Sequence, residues 1–178
     1  MKLVIITGMP GAGKSEVASA YQNVGKPVIV MGDSVRDEVQ RQGLQANPEN
    51  TRQVMLELRN QKGPGAIAKL CLQELSEKDS DIVVIEGCRS IDEIDVFDDY
   101  ASQLTIVCIH SSPSTRFARL RKRARDDAPP DWSTFRERDL REISVGLGGV
   151  IALADKMIVN EGSIEELRRI STELAEAQ

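Results

Sequence analysis

Apolar residues gather in five short runs along the chain, at positions 2–7, 28–31, 82–86, 104–109 and 156–159. Each run is rich in Val and Ile, and the stretches between them repeat apolar residues at helical spacing. Strands alternating with helices in this way predict an α/β fold, in which a parallel sheet is covered by helices on both faces. The first run is followed at once by glycines and then by a helical stretch over Ser15 to Val24 that ends at Gly25.

Two regions exceed a plain crossover. About fifty residues separate the second and third runs, and they read as several helices broken at Gly43 to Pro48 and at Gly63-Pro64-Gly65. The second region is ARDDAPPDW, a charged loop with two prolines between arginine-rich helical segments, which fits a short lid. Nothing resembles a repeat or a linker, so residues 1–178 predict one domain that carries both additions.

Charge and cysteine content narrow the function classes. A formal net charge of −5 is the wrong sign for a surface built to bind nucleic acid. Cys71, Cys88 and Cys108 lie far apart without metal or disulfide spacing and read as small buried residues of a reducing compartment. No apolar run approaches the ~18 residues of a membrane span, and the first is too short for a signal peptide, so a cytoplasmic protein is expected.

Chemistry first appears in GMPGAGKS, running from Gly8 through Met9, Pro10, Gly11, Ala12 and Gly13 to Lys14 and Ser15. A glycine, four residues and then Gly-Lys-Ser arises by chance about 4 × 10⁻⁵ times per window, under about 1% for a chain of this length. A buried strand precedes it and a helix follows, the context a phosphate cradle requires. Gly8, Gly11 and Gly13 let backbone N–H groups turn toward phosphate oxygens, and the helix opening at Lys14 adds its positive end. Lys14 would reach the β- and γ-phosphates, and the Ser15 hydroxyl would ligate Mg²⁺.

Further candidates stand where runs end, the edge at which open α/β sheets bind ligands. Glu86 closes the third run and suits the metal side of phosphoryl transfer. Asp33 reads as the N-cap of the helix after the second run, and Arg36 one turn on suits bidentate contact with a phosphate or a salt bridge to Asp33 or Asp37. Eight arginines follow the fourth run: 116, 119, 121, 123, 125, 136, 138 and 141. A mobile arginine closing on the transferring phosphate would stabilise it, while others pair with Asp126, Asp127, Glu137 or Asp139. His110 has no readable acidic or nucleophilic partner and reads as structural. Ser163 and Glu166 have capping-box spacing. Asn160 and Glu161, after the last run, occupy a loop that suits backbone contact with an adenine.

Taken together, GMPGAGKS, GDSVR, EGCRS, the RLRKR segment and ADKMIVNEGS resemble the nucleoside monophosphate kinase superfamily of P-loop proteins over nearly the whole chain. GDSVR and EGCRS are similar to adenylate kinase segments, the closing stretch to dephospho-CoA kinases, and the whole to an archaeal adenylate-kinase-related nucleotide-binding family. The resemblance implies a three-layer P-loop kinase fold with a five-stranded parallel sheet, a helical acceptor-binding region at 33–78 and a short lid at 116–141. It implies that Gly8 to Ser15 hold the donor phosphates, Arg36 and Arg89 the acceptor phosphate, and Arg119 and Arg123 the donor base and phosphates, with Arg138 a further lid arginine. Glu86 stands where the family has Asp, and Cys88 lies in a shortened segment.

The activity so implied is transfer of the γ-phosphate of ATP, with Mg²⁺, to AMP-type monophosphates or dephospho-CoA. A phosphate acceptor needs no general base; a ribose hydroxyl does, and Asp33 is then the candidate. A nucleotide sensor or slow ATPase read by a partner protein would use the same binding residues. A GTPase switch lacks its Asn-Lys-x-Asp motif, and RNA binding lacks an aromatic platform beyond Trp132 and Phe135.

Overall fold

The computed structural model describes residues 1–123 and 128–178; Arg125, Asp126 and Asp127, in the segment expected to form a lid, lie outside the described residues. Five parallel strands, β1 (Lys2–Thr7), β2 (Val28–Val30), β3 (Ile82–Glu86), β4 (Gln103–His110) and β5 (Lys156–Val159), form one sheet in the order β2-β3-β1-β4-β5. All five strands agree with the apolar runs to within a residue at each end. The fold is thus the α/β arrangement read from the sequence.

Alternation along β1 divides the interior in two, because successive side chains leave a strand on opposite faces. Leu3 and Ile5 join Val83, Ile85 and Phe97 on one face, while Val4 and Ile6 join Val84, Val107 and Ile109 on the other. The first face is covered by α2 (Met31–Arg41), α3 (Pro48–Lys62), α4 (Ala66–Ser76) and α5 (Ile91–Tyr100). Against the second pack α1 (Lys14–Asn23) and α9 (Ile164–Glu176), through Val17, Tyr21, Leu167 and Ala175. A strand sealed on both sides can be apolar at every position, which is why β1 reads as an unbroken run.

The remaining helices are α6 (Pro113–Arg123), α7 (Trp132–Val145) and α8 (Leu147–Ala152). Phe117, Trp132 and Phe135 join α6 to α7, with ring centroids 5.2 to 5.4 Å apart. The 33–78 region resolves into α2, α3 and α4, broken at the glycines that the sequence marks, with Asn47 capping α3.

Helix α2 starts earlier than expected. Val30 is its N-cap, in extended conformation, so Asp33 lies inside the first turn and is not the cap. The reason is burial: Met31, Val35 and Val39 follow one helical stripe into the core, and enclosing Met31 draws the helix start back to the strand end.

Candidate active site

The loop after β1 turns under tight constraint. Gly8 has φ 140°, and a Cβ there would lie 2.2 Å from Ile109 O on the neighbouring strand, so no other residue fits. Gly13 has φ 110° and serves as the N-cap of α1, with no side-chain cap on that helix end. The positive end of α1 therefore faces the cleft without a side-chain acceptor of its own.

Lys14 Nζ donates to Gly8 O at 2.8 Å and Met9 O at 3.3 Å, lying across the bend. Burial pushes its pKa from the usual 10.5 down to about 8; nearby Glu86 opposes the shift, and Arg89 and Arg138 add to it. Ser15 Oγ donates to Glu86 Oε1 at 3.2 Å. The Glu86 carboxyl is raised, chiefly by burial, against the pull of Lys14 and the Ser15 hydroxyl.

That donor set fits Mg²⁺. A hydroxyl and a carboxylate oxygen are hard ligands, and Mg²⁺ is commonly held by one or two protein oxygens, with phosphates and waters completing its shell. Among the described residues no cluster of three or more His, Cys, Asp or Glu forms an all-protein cage. A site completed by a polyphosphate matches what is present.

Around this point opens a cleft of about 680 Å³. Its lining includes Lys14, Arg36, Arg59, Arg89, Arg119, Arg123 and Arg138, against Glu16, Glu86 and Glu93. A protein of net charge −5 has thus concentrated positive charge in one concavity, the focusing that draws in an anion. Gly11, Gly13, Ser15 and Pro10 border the same space.

The arginines differ in how they are held. Arg36 pairs with Asp33, an exposed pair one helical turn apart, and Asp33 itself is not among the residues lining the cleft. Arg89 Nη1 lies 3.3 Å from the Glu142 carboxylate on α7. Arg119 is bound by neutral oxygens: Ser111 Oγ and Asn160 O, both at 3.0 Å, and Asn160 Oδ1 at 3.3 Å. Arg123 and Arg138 line the cleft.

Asn160 differs from its expected backbone role toward an adenine. Its N–H donates to His110 O, its C=O accepts from Ser111 and Arg119, and its side-chain amide donates to Ala12 O. It borders the cleft, but its polar groups serve the protein. Glu161 likewise accepts from Ser112 and from Thr115 Oγ1, tying the β5 loop to the start of α6.

Two participants, Arg59 and Glu93, escaped the sequence reading. Arg59, in the last turn of α3, borders the cleft and pairs at 3.0 Å with Glu93, which is 1% exposed. Glu93 also accepts from the Arg89 backbone N–H at 2.8 Å, so one carboxylate braces both segments. Ser90 caps α5, and the Ser90-x-x-Glu93 spacing was a legible capping signal; for Arg59 no motif gave warning. Arg116 is buried, forms a two-pronged pair with Asp139 at 2.8 and 2.6 Å, and holds Pro10 O at 3.2 Å, so it supports the loop from behind. Asp139 was one of its foreseen partners.

Comparison with known proteins identifies the family and the fold. Residues 7–136 match the AAA domain family. The chain is 44% identical to a UPF0200 protein of Hyperthermus butylicus over 164 residues, covering 92% of this chain and 88% of that one. It is 43% identical to a UPF0200 protein of Thermococcus sibiricus over 178 residues, covering 98% and 94%. TT1252 from Thermus thermophilus superposes with a TM-score of 0.64 at 18% identity, covering 99% of this chain and 97% of that one. Shikimate kinase from Acinetobacter baumannii in complex with shikimate gives 0.59 at 13% identity, covering 99% and 93%. A gluconokinase from Sinorhizobium meliloti gives 0.59 at 16%, covering 99% and 94%. At these identities the structures speak for the fold, which is that of the P-loop kinases. Among the described residues no helix is long and apolar enough to cross a membrane.

Proposed function

We propose that this chain, which belongs to the UPF0200 proteins and over residues 7–136 to the AAA domain family, is a phosphotransferase. It moves the γ-phosphoryl group of ATP to a nucleotide or nucleotide-like acceptor that carries its own phosphate. The observation that carries this reading is the shared cleft: the loop of Lys14 and Ser15, with Glu86 at 3.2 Å, faces the arginines of the helical region across one concavity.

In this mechanism backbone N–H groups of the Gly8 to Gly13 loop, those of Gly11 and Gly13 among them, and the Lys14 ammonium hold the donor triphosphate. Ser15 and Glu86 would hold Mg²⁺, which when bound offsets the charge that builds on the phosphates. Arg36 and Arg89, with Arg59 beside them, orient the acceptor phosphate. Arg119, Arg123 and Arg138 close on the equatorial oxygens and exclude water. Attack by a phosphate oxygen needs no base, which suits an Asp33 occupied by Arg36.

A second reading, a nucleotide sensor or slow ATPase, draws support from one feature. Arg36, Arg59 and Arg89 each face a carboxylate, Asp33, Glu93 and Glu142 respectively, which an incoming phosphate must share or displace. Labelled ATP incubated with the full chain and AMP, CMP, UMP, dephospho-CoA or buffer alone separates the readings. Label on one acceptor supports the kinase. Hydrolysis without transfer supports the sensor, and neither binding nor hydrolysis overturns both.

A further inference from the structure

We infer that Asn160 is a positioning residue that aims the phosphate loop and seats Arg119 at the same time; the inference rests on reading that loop as a triphosphate site. Asn160 leaves β5 at the ligand edge of the sheet and is 6% exposed. Its Nδ2 donates to Ala12 O at 2.8 Å, and its Oδ1 accepts from Arg119 Nη2 at 3.3 Å. The backbone carbonyl of the same residue accepts from Arg119 Nη1 at 3.0 Å and from Ser111 Oγ at 2.6 Å.

The consequence falls on the peptide unit between Ala12 and Gly13. It is trans, as are the other described peptides, so the Ala12 carbonyl and the Gly13 N–H point to opposite sides. Drawing the carbonyl back to Asn160 turns the Gly13 N–H away from it, toward the cleft and beside the open end of α1. Two peptide units earlier, Arg116 Nη1 holds Pro10 O and so turns the Gly11 N–H in the same manner. The amide of Asn160 is seated without slack: a Cβ on Gly13 would lie 2.7 Å from Nδ2. Because both faces of one side-chain amide are used, a shift of the loop on taking up a polyphosphate is passed directly to the guanidinium of Arg119.

Asn160→Asp tests this. The substitution keeps an acceptor for Arg119 but sets a carboxylate oxygen against the Ala12 carbonyl, releasing the peptide. Affinities of the full chain for inorganic tripolyphosphate, ATP and adenosine, each with Mg²⁺, are the readout. Tripolyphosphate and ATP should weaken about tenfold or more while adenosine is unchanged, since one charge-assisted donor is lost and no base contact is touched. Equal weakening of adenosine and ATP with tripolyphosphate intact assigns Asn160 to the base and overturns the inference. Unchanged affinity for all three overturns it too. A wild-type chain that binds neither tripolyphosphate nor ATP overturns the triphosphate reading itself, and the inference with it. Should Asn160→Asp fail to fold, Asn160→Ser removes the same donor without burying a charge. Arg119→Ala combined with either variant should lose less ATP affinity than the sum of the single losses; strict additivity overturns the seating of Arg119.

Discussion

The two sides of the cleft are built by different means. On the proposed donor side the backbone does most of the positioning: glycines at positive φ, one helix end and a lysine follow a strand sealed in the middle of the sheet. On the proposed acceptor side the work falls to side chains from α2, α3 and the β3 loop, each facing a carboxylate: Asp33 of the same helix for Arg36, and Glu93 and Glu142 of other elements for Arg59 and Arg89. A backbone site is fixed by local conformation, so it stays rigid and tolerates little substitution. A side-chain site depends on separate ion pairs, so it is adjustable and each pair can be removed separately. Within one fold, a common donor can thus be met by the first and a variable acceptor by the second.

The sharpest break is expected on the donor side. Lys14→Met should lower any phosphoryl transfer by about 10³-fold, on the scale of about 4 kcal/mol, with ATP affinity falling as well. The same variant should melt higher than wild type, because the charge it removes is held against its burial. ATP titration beside a thermal melt checks both, and retained ATP affinity would undo the donor assignment.

Next comes the brace behind the acceptor side. Glu93→Leu leaves the Arg59 guanidinium and the Arg89 amide without their shared acceptor and should cost about 3 kcal/mol in chemical denaturation. Adding Arg59→Met should recover much of it, since an apolar pair replaces a broken ionic one. A loss below about 0.5 kcal/mol would show that the brace does not matter to stability.

Arg36→Ala should raise the acceptor KM about tenfold while ATP affinity stays within about twofold, as expected for one charge-assisted contact to phosphate. An equal loss for both ligands would erase the contrast between the sides.

The smallest effect is on pH. With its pKa lowered to about 8, Lys14 is charged below that value and neutral above it, so triphosphate affinity should decline as pH rises through about 8. For the free protein the sign is opposite. Between about 8 and 10.5 the unfolded chain holds the extra proton, so the Lys14 contribution to stability rises with pH. Both slopes should vanish in Lys14→Met.

Legibility followed the same division. Gly8 to Ser15 could be read because every requirement there is local: a strand, residues free to take positive φ, and a lysine at fixed offset. Glu86 could be read because the strand end delivers it. Asp33 was misread as a cap, since nothing local revealed that Met31 would be pulled into the core and start the helix three residues earlier. Arg59 sits 34 residues from its partner Glu93, and Arg116 lies 106 from Pro10, separations at which spacing carries no signal. Asn160 was noticed for its place after β5, but not for its reach across 148 residues to Ala12.

By itself, then, the order of residues determined the strands, the helices that cover them, the glycine bend after β1 and the sheet edge at which the candidate site lies. These depend on side-chain alternation, glycine geometry and the rule that parallel strands present their ends together. Only the tertiary structure decided which carboxylate holds which arginine, and that Asn160 joins the bend to Arg119. Such pairings depend on distances between distant segments, which exist only once the sheet has assembled.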